Sequence, residues 1–291
     1  MHAILICRRI WCVPWLSGRD LWLEHNNEHL KLNTERVICM DSFIGWVGGK
    51  KLLRDTIISN FPETFGRYVE VFGGAGWVLF RKPQEKGQLE VYNDFDSNLV
   101  NLYRCVKYHP EALEKELSYI VQSSELFYDF KEQLHMRGLT DIQRAARYFY
   151  LIKMSFGCKK DSFATRPKNI SRSLERFAEI QERLSRVIIE NRNFEQLIKV
   201  YDSTDTLFYL DPPYHKTERY YNNDKTFDED DHRRLKTVLN NIKGRFILSY
   251  NDDEFIRELY KDYNIQGITR SCTLSANSSG DKFREVIVKN Y

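Results

Sequence analysis

A short apolar run that stops at two prolines constrains the fold of this chain more than any other feature. The run is Thr206–Leu210, and Asp211, Pro212, Pro213 and Tyr214 follow it directly. A run of this length is typical of a buried strand, and proline ends it because proline lacks the N–H that a sheet ladder needs. Open α/β sheets bind ligands at the carboxyl ends of their strands. The sequence therefore predicts a binding site where this strand ends.

Further strands and a glycine turn predict the sheet to which this strand belongs. Residues 68–72 predict a strand that leads into Gly73-Gly74-Ala75-Gly76 and a helix, and residues 88–92 predict a strand that ends at Asn93-Asp94. Strand, glycine turn, helix and strand are typical of the start of a doubly wound sheet. Later strands are predicted at 187–190, 206–210, 245–249 and 285–289.

A long helical segment interrupts the strands. From about residue 99 to 186, apolar residues recur at spacings of three and four, which indicates amphipathic helices, and a polar loop at 156–167 breaks the pattern. Between Arg144 and Arg192 there are twelve Lys and Arg against five Asp and Glu, although the net charge of the whole chain is only +3. Such a basic stretch either contacts nucleic acid or forms a solvated helix face.

Composition narrows the class of protein. With 291 residues, 42% of them apolar, the chain can bury a large core in one or two domains. Its six cysteines form no C-x-x-C pair and have no histidines at metal-ligand spacing, so we expect no metal site, no disulfide framework and a reduced, cytoplasmic protein. No apolar stretch approaches the roughly 20 residues of a membrane span, and the first residues do not resemble a signal peptide.

Residues 1–41 differ from the rest of the chain. They hold Trp11, Trp15 and Trp22, followed by a polar stretch at 24–29. We predict an N-terminal extension of unknown role. It is either an accessory helix that packs on the core or the product of a start codon assigned too early, and we favour Met40 as the natural start.

The glycine turn is a candidate cofactor site. Glycines after a strand allow the backbone to approach a ligand closely, but they also occur where a helix and a strand simply pack tightly. A dinucleotide fingerprint counted from Gly74 and Gly76 needs a glycine at position 79, which is Leu79, and residues 45–50 are one residue too short for a P-loop. We therefore expect neither a nicotinamide or flavin cofactor nor ATP hydrolysis. Asp94 either accepts hydrogen bonds from a ribose or caps the next helix.

Asp-Pro-Pro-Tyr has the groups needed to hold an aromatic amino group. The amino nitrogen of adenine or cytosine is a poor nucleophile because its lone pair is delocalised into the ring. The Asp211 carboxylate and the Pro212 carbonyl are two acceptors for that group, and the prolines stiffen the turn that directs them. The Tyr214 ring offers a face on which an unstacked base can pack.

Five segments together resemble the Dam-like DNA adenine-N(6) methyltransferases. In order, they are residues 46–50, 72–76, 93–94, 211–214 and 248–252. The resemblance extends from about residue 42 to the C-terminus. It implies a Rossmann-like seven-stranded methyltransferase sheet and S-adenosyl-L-methionine as the methyl donor. It also implies flipping of an adenine out of double-stranded DNA, with a mostly helical target-recognition domain inserted after the glycine turn.

The resemblance also implies domain bounds and site residues. Residues 42–104 and 187–291 correspond to the catalytic domain, and residues 105–186 to the inserted target-recognition domain. The implied catalytic residues are Asp211, Pro212, Pro213 and Tyr214. The implied cofactor-binding residues are Trp46, Lys50, Phe72, Gly73, Gly74, Gly76, Asp94 and Asp211. Lys159, Lys160, Phe163 and Arg166 are expected to contact bases or phosphates, and residues 216–231 to close over DNA.

Some features depart from the family pattern or leave alternatives open. Val71 replaces a common proline, and Asn193 stands where some relatives have an acidic residue near the cofactor adenine. Cytosine-N(4) methylation is an alternative, although such enzymes more often have Ser in place of Asp211. Methylation of glutamine or RNA, and an inactive DNA-binding regulator, are further alternatives. We expect a monomer, with a cognate restriction endonuclease as a candidate partner.

Overall fold

The computed structural model describes residues 39–216, 227–271 and 282–291. Most of the N-terminal extension predicted at 1–41 therefore lies outside the described residues. So do residues 217–226 of the segment that is expected to close over DNA. None of the described helices is long and apolar enough to cross a membrane.

Seven strands of the described residues form one sheet in the order β3-β2-β1-β4-β5-β7-β6. They are β1 (Arg67–Glu70), β2 (Leu89–Asn93), β3 (Val187–Glu190), β4 (Thr206–Leu210), β5 (Arg245–Asn251), β6 (Asn264–Ser271) and β7 (Lys282–Lys289). The first five strands run parallel, and β7 is antiparallel to both β5 and β6. The predicted seven-stranded, Rossmann-like sheet is confirmed.

The strands alternate their side chains between two apolar cores, as the period of two in a β-strand requires. Val69 and Phe208 point to one face, whereas Tyr68 and Leu207 point to the other. All five residues of β4 are buried, since this strand lies in the middle of the sheet with both faces covered.

Eleven α-helices among the described residues cover the sheet and build the insertion. They are α1 (Arg54–Ser59), α2 (Trp77–Arg81), α3 (Ser97–Tyr108), α4 (Pro110–Ser118), α5 (Ser124–Gln133), α6 (Asp141–Met154), α7 (Ser171–Leu174), α8 (Phe177–Leu184), α9 (Phe194–Tyr201), α10 (Glu229–Leu239) and α11 (Glu254–Leu259). Helices α9, α10 and α11 contribute to the core on one face. Helices α1–α4 and α6–α8 contribute to the core on the other.

The helices of the predicted insertion are joined tightly to the sheet. Helix α3 runs across the predicted boundary at residue 105. The buried Arg183 of α8 donates to both carboxylate oxygens of Glu90 in β2, at 2.7 and 3.0 Å, and to the carbonyl of Leu79. Lys82 adds a second cation 3.0 Å from Glu90. Removing one partner of a buried charge cluster typically costs about 3–5 kcal/mol, so this cluster fixes α8 against β2.

Candidate active site

A cavity of about 770 Å³ opens at the carboxyl ends of the parallel strands. The ends of β1, β2, β3 and β4 form its floor, because parallel strands place their carboxyl ends at one edge of the sheet. Its volume falls in the range of roughly 300–1,000 Å³ that is usual for ligand sites. Predicted site residues that line it are Trp46, Lys50, Phe72, Gly73, Gly74, Asp94, Asp211 and Pro213. Gly76, Pro212 and Tyr214 lie outside this lining.

The rings of Tyr92 and Trp46 pack closely against the glycine turn. A Cβ on Gly73 would lie 2.2 Å from the ring of Tyr92, and Gly74 has a φ of +50°, which disfavours other residues. The Tyr92 hydroxyl donates to the Gly74 carbonyl at 2.7 Å. A Cβ on Gly74 would also lie 2.9 Å from the Trp46 ring. The turn therefore presents bare backbone to the cavity, with an indole beside it.

Asp94 lies at the end of β2 and stabilises the glycine turn. Its Oδ2 accepts from the Gly74 N–H at 2.8 Å, and its Oδ1 accepts from the Asp96 N–H at 2.8 Å. Burial, together with the nearby Asp96 carboxylate, raises the pKa of Asp94 to about 6. The alternative that Asp94 caps the following helix is wrong, because the Asp96 side chain caps α3 instead. Asp94 thus keeps its carboxylate at the cavity.

Asp211 is held at the end of β4 by two donors on one oxygen. The Lys50 ammonium lies 2.7 Å from Oδ1, and the Ser249 hydroxyl donates to the same atom at 2.9 Å. Among the residues that the structure describes, no hydrogen bond or ion pair engages Oδ2. Burial raises the pKa of Asp211, and the charge of Lys50 opposes that rise. One oxygen is therefore fixed, and the other can accept a hydrogen bond from a substrate.

Tyr214 is oriented by a carboxylate from a distant part of the chain. Its hydroxyl donates to Glu285 of β7 at 2.6 Å, and Glu285 is only 4% exposed. The Lys50 ammonium lies 4.5 Å from the centre of the Tyr214 ring. Burial raises the pKa of the Tyr214 hydroxyl well above its ordinary value, so the hydroxyl stays protonated and remains a donor.

Several groups at the site were not predicted as site residues. Glu70 is 2% exposed and lines the cavity at the end of β1, where it accepts from the Tyr68 hydroxyl and the Leu79 N–H, and burial raises its pKa to about 8. Glu285 holds Tyr214. Glu70 is an acidic residue between Val69 and Val71 in an apolar run, and that pattern was a usable signal, whereas Glu285 follows Arg284 and has no such pattern. Ser249 belongs to the segment 248–252, whose contact with Asp211 was not predicted.

Some side chains of the loop 156–167 pack against the protein, and others are exposed to solvent. Phe163 packs against Phe127, and Lys160 points inward, whereas Lys159 and Arg166 are exposed. Of the four side chains expected to contact bases or phosphates, Lys159 and Arg166 are therefore accessible from solvent, and their contacts with DNA stay a prediction. Asn193, near the cavity, caps α9 by accepting from the Glu195 N–H.

Comparison with known proteins agrees with this architecture. A seven-stranded sheet of this order, with a glycine turn and Asp-Pro-Pro-Tyr at neighbouring strand ends, is consistent with a Rossmann-like methyltransferase. The family model of the D12 class N6 adenine-specific DNA methyltransferases matches residues 46–273. The chain belongs to this family, and it therefore transfers a methyl group to adenine in DNA.

Individual relatives cover nearly the whole chain. The type II methyltransferase M1.LlaDCHI of Lactococcus lactis subsp. cremoris is 30% identical in an alignment of 288 positions that covers 90% of this chain and 99% of that protein. The type II methyltransferase M.MjaIII of Methanocaldococcus jannaschii is 26% identical, over 86% of this chain and 98% of that protein. A DNA adenine methylase of Haemophilus influenzae is 22% identical, over 81% of this chain and 88% of that protein.

Proposed function

We propose that Asp211, Pro212, Pro213 and Tyr214 form the catalytic pocket, and that S-adenosyl-L-methionine is the methyl donor. The observation that carries the first part is the geometry of Asp211. Lys50 and Ser249 hold Oδ1 at 2.7 and 2.9 Å, which leaves Oδ2 to accept a hydrogen bond from an adenine amino group. Preorganised acceptors of this kind stabilise charge as it develops on the nitrogen.

The cavity residues suit this donor. S-adenosyl-L-methionine contains a ribose, an adenine and a sulfonium whose methyl group is electrophilic. The Asp94 carboxylate would accept from ribose hydroxyls, as acidic residues at this position of such sheets commonly do. Gly73 and Gly74 present backbone without side chains, while Trp46 and Phe72 supply apolar walls. Gly76, at the start of α2, has a φ of +63° and completes the turn that the cofactor would approach.

The target adenine would enter from the side of Tyr214. Taking a base out of the duplex costs a few kcal/mol, which stacking on an aromatic ring and contacts to phosphates offset. With its hydroxyl fixed by Glu285, the Tyr214 ring would provide that stacking face. Asp211 and the Pro212 carbonyl would then accept from the amino group while its nitrogen attacks the methyl carbon directly, without a covalent intermediate on the protein.

Residues 105–186 are proposed as the target-recognition domain. The exposed Lys159 and Arg166 are suited to phosphates or base edges, because long cationic side chains supply most such contacts. We further propose that the enzyme is a monomer that acts on DNA in the cytoplasm. Because two relatives are named type II methyltransferases, a cognate restriction endonuclease is its proposed partner.

Transfer of labelled methyl from S-adenosyl-L-methionine to unmethylated genomic DNA, followed by nucleoside analysis, tests this proposal. We expect label in N(6)-methyladenine, loss of label with Asp211→Ala, and no change with Glu63→Ala, an exposed acid in the segment before β1. Label in N(4)-methylcytosine would support the alternative reaction instead. Undiminished transfer by Asp211→Ala would contradict the proposed pocket.

A further inference from the structure

Lys160 turns away from solvent although it lies in an exposed, basic loop. Its backbone has a φ of +63°, in the left-handed region that residues other than glycine rarely adopt. Its side chain is 19% exposed, whereas the neighbouring Lys159 is exposed. A residue other than glycine is strained in this conformation, and it persists where its surroundings determine it. The contacts of the side chain identify those surroundings.

The ammonium of Lys160 lies over a wall of the proposed cofactor cavity. It is 4.4 Å from the ring centre of Trp46, at a distance typical of a cation–π contact. Trp46 lines the cavity beside Gly74. The same loop also contacts the residue before Trp46, because a Cβ on Gly45 would lie 2.5 Å from the Cys158 sulfur. The loop therefore supports the segment that carries the indole.

A hydrogen-bonded chain links the same ammonium to Asp94. Lys160 Nζ donates to the Tyr148 hydroxyl at 2.8 Å, and this hydroxyl donates to Asp96 Oδ2 at 2.5 Å. The Asp96 N–H in turn donates to Asp94 Oδ1. The ammonium itself is 4.0 Å from Asp96 Oδ2. Burial lowers the pKa of Lys160, and the Asp96 and Asp94 carboxylates oppose that change.

We propose that Lys160 is a positioning residue for cofactor binding, contributed by the target-recognition insertion. It holds the Trp46 indole and, through Tyr148 and Asp96, the Asp94 carboxylate in the positions that bind the cofactor. The proposal rests on the proposed cofactor site. It assigns Lys160 to that site rather than to DNA, and it leaves Lys159 of the same loop to contact DNA.

Calorimetric titration with S-adenosylhomocysteine, the demethylated form of the proposed donor, tests this assignment. We expect Lys160→Met, which keeps an unbranched apolar side chain but removes the ammonium, to weaken binding about tenfold, in line with a partly desolvated cation–π contact and a lost hydrogen bond. Lys160→Arg should recover most of the affinity, because a guanidinium also packs on indole rings. Lys159→Met, the matched control, should bind as the wild type does.

Tyr148→Phe provides a second variant that removes only the relay hydroxyl. We expect it to weaken binding severalfold while the KM for the methyl donor rises more than kcat falls. A Lys160→Met protein that binds S-adenosylhomocysteine as tightly as the wild type would overturn the assignment, and so would equal losses for Lys159→Met and Lys160→Met. Wild-type protein that binds none of it would instead overturn the proposed cofactor itself.

Discussion

Lys50 at the carboxyl edge of the sheet and the two exposed cations of the loop 156–167 lie in opposite environments. At the sheet edge, Lys50 is 6% exposed and is paired with Asp211. In the loop, Lys159 and Arg166 extend into solvent. Chemistry on an amino group requires particular groups at fixed positions, so the first region has a recognisable sequence. DNA contact from a surface loop permits many arrangements, and the second region has no such signature.

A count of charged residues along the sequence therefore overestimates the number of cations that are available to contact DNA. Several cations of the basic stretch bind the protein itself: Arg183 pairs with Glu90, Lys153 donates to the Phe43 carbonyl, and Lys168 donates to the carbonyls of Lys153 and Ser155. Three of the twelve cations in this stretch therefore hold the insertion to the sheet domain or to itself.

The sharpest contrast lies between two adjacent lysines. We expect Lys50→Met to lower the rate of methyl transfer at pH 7 on the order of 100-fold, as loss of one electrostatic group at an active site commonly does. Lys51→Met should have almost no effect, because Lys51 is 55% exposed and its pair with Asp41 lies at the surface. Steady-state kinetics of the two variants measure this difference.

The pH profile of Lys50→Met separates an electrostatic role from a packing role. Burial raises the pKa of Asp211 and Lys50 opposes that rise, so removal of Lys50 raises this pKa further. More of the variant then has a protonated Asp211, which is a weaker acceptor than the carboxylate, at neutral pH. Its activity should recover as the pH rises through the new pKa, and a loss independent of pH would exclude this explanation.

Substitution of Glu285 tests whether β7 orients Tyr214 in the proposed pocket. We expect Glu285→Ala to lower kcat/KM for DNA about tenfold, the cost of one charge-assisted hydrogen bond. In a Tyr214→Phe background, which already lacks the hydroxyl, Glu285→Ala should have little further effect. Additive losses in this double-mutant cycle would show that Glu285 does not act through Tyr214.

Ionisation of Asp94 should make the affinity of the proposed cofactor site depend on pH. Its folded-state pKa is about 6, so the carboxylate is ionised above that pH and protonated below it. Affinity for S-adenosylhomocysteine should be constant above pH 7 and fall several-fold as the pH drops from about 7 to 5. Asp94→Asn should bind more weakly and show no such decline. The same decline in Asp94→Asn would assign it to another group.

Substitution of an exposed cation in the loop 156–167 should have the smallest effect on the methyl-transfer rate. It should have a clear effect on the salt dependence of DNA binding. We expect Arg166→Ala to leave kcat unchanged and to weaken DNA binding severalfold, because the side chain is exposed and does not line the cavity. If Arg166 contacts a phosphate, the slope of log affinity against log salt should decrease by about 1. An unchanged slope and an unchanged affinity would show that Arg166 does not contact DNA.

Much of the sheet could be predicted from the sequence, because strands buried on both faces are continuous apolar runs. Strand β6 was missed: it lies at the edge of the sheet, where β7 is its one neighbour among the described strands, and it contains Gly267, which weakens the pattern. At the site, motifs identified Asp211 and the glycine turn. They could not identify Glu285 or Lys160, since those contacts depend on how distant elements pack together.

The central claim is that Asp211 holds the amino group during methyl transfer, and single-turnover kinetics of Asp211→Asn test it most directly. The substitution keeps the size of the side chain, but it replaces a carboxylate with an amide. We predict a methyl-transfer rate lower by at least about 100-fold, with near-normal binding of DNA and of S-adenosylhomocysteine. A rate close to that of the wild type, with equal binding, would contradict the claim.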